Sequence, residues 1–213
     1  MNKTEIANLA LSKAREQKIS GNVDTTTELI AETVLEHYEN KLKETLSRVR
    51  PAFAQKRKGL ARNATAPEFE WTYSYILPTD YVELVRFNGA DIKACNDYFE
   101  IEGRGLLTDE DTANVVYIRY EEDTSLYDSE FVAAFTDALA AEIVNARRGD
   151  AQRAEALMQS SEIKAQKSSA KAAQGRHRTN ARDKILSRSR WTGTTRRIST
   201  NETTSGTQGV MID

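Results

Sequence analysis

Two stretches of helical periodicity, separated by a long run of strand-forming residues, constrain this chain more than any other feature. In the first sixty residues Ile6, Leu9, Ala10 and Ala14, and then Leu29, Ile30, Val34, Tyr38, Leu42 and Leu46, recur at three- and four-residue spacing. That spacing lines up one apolar face of a helix. It predicts a helix over 4–19 capped by Thr4 and stopped before Gly21, and a second over 26–48. For the second, Thr25 or Thr26 caps and Glu28 reciprocates in a capping box, and Pro51 ends the pattern.

The period then changes. From Phe69 to Tyr120 the segments WTYSYILPTDYVELVRF, YFEIEGRGLLT and ANVVYIRYEE are rich in aromatic and β-branched residues and separated by Gly, Asn and Asp breaks. Three or four short antiparallel strands over 69–120 are expected, with Asn88-Gly89 as a tight turn. Helical spacing returns after Tyr127-Asp128-Ser129, where Phe131, Phe135, Ala138, Leu139, Ile143 and Ala146 share a face. A helix over 130–148 follows, closed by Gly149, and Asp150 caps another over 151–173 whose apolar face thins after Met158. Beyond Gly175 no period is visible. The fold class these signals predict is α+β, mainly α: a helical bundle with a small antiparallel β insertion and an extended C-terminal arm. The expected division is a domain over 1–160 and a basic helix end and tail over 161–213.

Charge sharpens that division. The chain is close to neutral, with 30 Lys and Arg against 32 Asp and Glu. Residues 163–200, however, hold eleven cations and one anion, Asp183, a net +10; the rest then carries 19 cations against 31 anions, a net −12. A neutral total therefore hides an acidic body and a basic tail. Three readings of the tail stay open. It binds nucleic acid by neutralising phosphates, with Trp191 stacking; it is a solvated tail; or it docks in an acidic groove of a partner, where Trp191 and Ile198 fill pockets and arginines pair with carboxylates.

Catalytic constellations are poor. His37 and His177 are the two histidines, on a helix and in the tail, and no nucleophile signature surrounds the single cysteine, Cys95. One thiol also excludes an internal disulfide framework and a Cys-based zinc finger. Gly103-Arg104-Gly105 reads as a turn between strands, since neither phosphate-loop pattern is present. The clusters Asp109-Glu110-Asp111 and Glu121-Glu122-Asp123 lack EF-hand spacing. The expectation is no enzyme, no cofactor and no metal. The longest apolar stretch, FVAAFTDALAAEIV, contains Asp137 and Glu142 and falls short of the roughly 20 apolar residues of a membrane span. The charged N-terminus MNKTEIANLALSKAREQ offers no secretory signal pattern.

The order of these motifs resembles the podovirus-type tail tubular protein A, the head-to-tail adaptor family of tailed bacteriophages. The likeness runs over residues 24–147: TTTELIAETVLEHYENKLKETLSRVRPAFAQKRKGLA, then Trp71, Tyr73, Tyr75, Leu77, Pro78 and Asp80 in a Trp-x-Tyr-x-Tyr-x-Leu-Pro-x-Asp stretch, then Leu-Leu-Thr-Asp, Asp-x-x-Phe and an Ala-rich helix. The chain departs from the family in having Ala52-Phe53 where a Trp is common, and in its long basic tail. The resemblance implies a structural virion protein that joins capsid to tail. Such a subunit assembles in the host cytoplasm into a ring of about twelve copies, in the virion neck below the portal. Its partners would be itself, the portal protein, a downstream tail or nozzle protein, and DNA passing through the lumen without sequence-specific contact, with no membrane.

Family members use C-terminal segments to embrace portal subunits. On that basis Arg176, Arg178, Arg182, Lys184, Arg188, Arg190, Trp191, Arg196, Arg197 and Ile198 are the expected portal-binding residues. Trp71, Tyr75, Pro78, Asp80, Phe131 and Phe135 are the structural motif, read as core or strand-boundary positions. The competing reading is a DNA-binding or packaging accessory protein that grips DNA with the basic tail.

Overall fold

The computed structural model describes residues 1–92 and 96–174. Helix α1, Lys3–Ala14, starts one step earlier than Thr4 would allow. The Asn2 side chain accepts from the Glu5 amide at 2.8 Å and the Glu5 carboxylate accepts from the Asn2 amide at 3.0 Å, so the capping box is Asn2/Glu5. It also ends at Ala14 rather than at residue 19. Arg15 takes a left-handed conformation (φ 58°), Glu16 N–H donates to the Leu11 carbonyl and Arg15 N–H to that of Ser12. This is the Schellman arrangement without its usual glycine. Arg148 fixes the turn by donating to the Arg15 carbonyl at 2.8 Å and to Glu16 at 2.6 Å.

Helix α2, Leu29–Val49, likewise begins later than its expected start at 26. Thr25 and Thr26 donate to the Asn22 carbonyl within a turn, and Glu28 accepts from Ser20 Oγ at 2.9 Å. Glu28 is the cap residue and no side chain caps the helix, so the predicted Thr25/Thr26–Glu28 box is absent. At the far end Arg50 turns left-handed (φ 50°) before Pro51.

Helix α3, Ser129–Arg148, is capped by Asp128, whose carboxylate accepts from the Phe131 amide at 2.7 Å, and closed by Gly149 at φ 61°. Helix α4, Ala151–Gln174, starts on Asp150, which accepts from the Arg153 amide at 3.1 Å. It runs unbroken through residue 160, so a division between 160 and 161 falls inside an element. The extended arm expected beyond it lies outside the described residues.

Helix α3 packs against α1, α2 and α4 and is buried nearly all round, from Phe131 and Phe135 through Ala140 and Val144. A helix apolar on every side is a core helix, and the others surround it. On α4 the residues facing α3 are small: Ala154, Ser161, Ala165 and Ser168 are each 4% exposed or less. Small side chains let the two backbones approach, which is why a face that thins in hydrophobicity after Met158 still buries a long helix.

Among the described residues eight strands form the insertion: β1 Gln55–Gly59, β2 Ala61–Arg62, β3 Tyr73–Ile76, β4 Tyr81–Phe87, β5 Ala90–Asp91, β6 Glu100–Glu102, β7 Gly105–Thr108 and β8 Asn114–Arg119. The insertion therefore opens at Gln55, not at residue 69. QKRKG lacks β-branched and aromatic residues, and its extended state comes from antiparallel pairing with β8, Gln55 opposite Ile118 through Gly59 opposite Asn114. All pairings are antiparallel, in two four-stranded sheets ordered β1-β8-β4-β5 and β2-β3-β7-β6. Asn88 (φ 45°) and Gly89 (φ 85°) make the two-residue turn between β4 and β5, the conformation that suits the right-handed twist of a hairpin.

The central strands of the first sheet, β4 and β8, bury residues on both faces. Val115 and Tyr117 of β8, with Leu84 and Phe87 of β4, join a core with Tyr75, Leu77 and Leu106 of the second sheet. Val85 and Ile118 turn the other way into the helical core. The fold is thus α+β and mainly α, layered as helices, first sheet, second sheet.

Candidate functional site

Asp80, from the Leu-Pro-x-Asp stretch, ties three strands together. Its carboxylate accepts from Tyr117 OH at 2.9 Å and from Lys56 Nζ at 3.0 Å, and its carbonyl accepts from the Tyr120 amide at 2.7 Å. Burial pushes the carboxyl up, but the hydrogen bonds from Lys56 and Tyr117 outweigh it and hold the group below its usual range. Burial, and then the hydrogen bond to that carboxylate, raise the Tyr117 hydroxyl. Tyr75 is 2% exposed and donates to the Glu110 carbonyl at 3.0 Å, and Pro78 is buried where β3 gives way to β4. Tyr75 and Pro78 are thus buried within the insertion, and Asp80 links β1, β4 and β8.

Phe131 and Phe135 lie elsewhere, in the helical core. Phe131 is edge-on to Phe53 at 5.2 Å and to Tyr127 at 5.0 Å, and Phe135 is edge-on to Tyr38 at 5.1 Å. Geometries of this kind add about 0.5–1.5 kcal/mol per pair beyond area burial. Phe53, in the Ala-Phe that departs from the family pattern, is the aromatic that closes this cluster against Tyr127 at 5.3 Å.

Trp71 is half-buried and donates from its indole N–H to Glu100 at 3.2 Å. It lines a groove on the outer face of the second sheet, between the 65–71 loop and strands β6 and β7, with Glu68, Glu70, Glu100 and Glu102 at the wall and Phe69 73% exposed beside it. Glu70 holds φ 66°, and the Trp71 amide donates back to the Phe69 carbonyl at 2.8 Å, a tight three-residue turn that L residues adopt at a cost. Sequence alone did not join these glutamates. They meet because β6 pairs β7 and β7 pairs β3, placing Glu100 and Glu102 on the same face as Ser74.

A second cluster is internal. Asp137, 2% exposed on α3, receives Lys13 of α1 at 2.7 Å, Ser160 of α4 at 2.7 Å and Lys164 of α4. Burial would raise its carboxyl, yet the hydrogen bonds from Lys13, Lys164 and Ser160 keep it below the ordinary range. The only sequence signal was a lone acid within an apolar run. No group of three His, Cys, Asp or Glu side chains that could hold a metal ion occurs among the described residues. His37 is half-buried on α2, and no helix is long and apolar enough to cross a membrane among those residues.

The expected portal-binding residues, Arg176, Arg178, Arg182, Lys184, Arg188, Arg190, Trp191, Arg196, Arg197 and Ile198, lie outside the described residues, as do Cys95 and His177. Comparison with protein-family models and with curated proteins finds no match to this chain.

Proposed function

We propose that this chain is a structural subunit of a tailed-phage neck, a head-to-tail adaptor that assembles as a ring below the portal and makes no chemical change. The observation that carries the reading is the pairing of an acidic body with a basic segment of net +10 over residues 163–200, in a chain whose motif order resembles that family. The architecture supports it: the Leu-Pro-x-Asp stretch and the Asp-x-x-Phe segment, which carry the resemblance, are the residues that tie β1, β4 and β8 together and cap the central helix. A basic tail repeated around a ring gains avidity, because once one copy docks the next binds at high effective concentration. An acidic body suits a passage for DNA, since a positive lining would retain the phosphate backbone.

Removal of residues 176–213 is the direct test. Association with portal rings, followed by sedimentation, is expected to fall by at least about a hundredfold, as the loss of a multivalent attachment requires. The DNA-gripping alternative predicts instead a steep log–log salt dependence of DNA binding that the same deletion abolishes. Wild-type levels of portal association after the deletion would contradict the adaptor reading.

A further inference from the structure

Among the edge strands of the two sheets, β1 and β2 are basic and β6 is acidic. Strands β1 and β2 are successive parts of one segment and form the edge of both sheets. From Thr45 to Pro67 the chain has no acidic residue and six cations, four of them, Lys56, Arg57, Lys58 and Arg62, on these edge strands. Lys56 is engaged by Asp80 and Arg62 lies over the Tyr73 ring at 3.5 Å, whereas Arg57 and Lys58 are exposed. At the other end of the second sheet is β6, and beside it the groove of Glu68, Glu70, Glu100 and Glu102 with the exposed ring of Phe69.

We infer that the basic β1–β2 edge of one copy docks on the acidic β6 groove of a second copy of this chain. The charges themselves choose the geometry. A contact of edge with edge would set Arg57 and Lys58 against their own kind, and one of groove with groove would set glutamates against glutamates, so the attractive contact is basic edge against acidic groove. Made head to tail, that contact is heterologous and propagates from copy to copy, closing into a ring where the rotation permits. Charged edges also repel backbone pairing between identical strands, which keeps the association specific. Phe69 supplies an apolar and π-bearing centre for an incoming guanidinium. The inference deepens the ring reading and rests on it for its biological setting, but the charge arrangement stands on the fold alone.

Two full-length variants test it. Arg57→Glu with Lys58→Glu reverses the two exposed cations of the basic edge; Glu68→Lys with Glu102→Lys reverses two of the four groove glutamates. All four side chains are outside the ion pairs of the described residues, and circular dichroism is used to check that both variants are folded. In sedimentation at low salt the wild type should self-associate, losing the association as salt rises, and each variant alone should associate at least about tenfold more weakly. An equimolar mixture of the two should recover it, because every interface then pairs acid with base again. No recovery in the mixture, undiminished association of either variant, or no self-association of the wild type would each overturn the proposal. Association that survives both reversals but disappears without residues 176–213 would assign the groove to the basic segment and overturn it as well. Rings on the portal built by either variant alone would overturn the edge contact while leaving the adaptor reading intact.

Discussion

Asp137 shows how a single residue holds helices that are far apart in sequence. Its carboxylate is 3% exposed and is met by Lys13, Lys164 and Ser160, so α1 and α4 are both clamped to α3. A buried ion cluster contributes little over an apolar replacement of the whole cluster, but removing one partner leaves the other charges without a counter-ion. Asp137→Ala is therefore expected to destabilise the fold by about 2–4 kcal/mol in urea titration, whereas Arg57→Ala on the exposed edge should change stability by less than about 0.5 kcal/mol. The sign with pH follows from the depressed carboxyl. A group whose folded value lies below its unfolded one stabilises the fold above the unfolded value, about 3.9 for an aspartate, and loses that contribution as pH falls through the folded value. Wild-type stability should thus drop steeply on acidification below about pH 4, and Asp137→Asn should flatten that drop.

At the level of elements, α3 and α4 meet over small residues, and their spacing depends on them. Ala165, 2% exposed, has no room for a larger side chain without displacing one helix. Ala165→Leu should cost about 1–3 kcal/mol, read from the unfolding midpoint, although the substitution raises both hydrophobicity and helix propensity.

The same interface shows what a sequence can and cannot reveal. The stripe Ile30, Val34, Tyr38, Leu42 and Leu46 on α2 and the face Phe131 to Ile143 on α3 were legible because helical periodicity is local, although Leu29, expected on the same stripe, is 69% exposed at the helix start. The seam of Ala154, Ser161, Ala165 and Ser168 was not, because alanine and serine register as weak hydrophobicity. Strands β1 and β2 were missed for a different reason. QKRKGLAR has no intrinsic strand preference, and its partner, β8, lies more than fifty residues further along the chain. The end of α1 shifted because Arg15 occupies a left-handed position where glycine is the usual stop signal, whereas α2 ends at Val49, within a residue of expectation. Asn88-Gly89 and Gly149 carried that signal, and their turns fall where expected. Of the candidate site, the basic segment was legible as charge alone, while the glutamate groove exists only through strand pairing.

For the molecule as a whole, the body presents surfaces of opposite sign rather than a uniform acidic skin. Its net charge of −12 outside residues 163–200 coexists with an acid-free stretch from Thr45 to Pro67. In a ring built by basic-to-acidic contacts, those cations are consumed between subunits, and the surplus acidic surface is left for the channel and the exterior. In the proposed ring, that distribution would let DNA slide past a lining that does not hold phosphates.

The adaptor reading is tested most directly by electron microscopy of the full-length protein mixed with the portal of its own virion. A ring of this chain, coaxial with the portal and seated on its narrow end, is the predicted result. Portals that remain bare at saturating protein would contradict it.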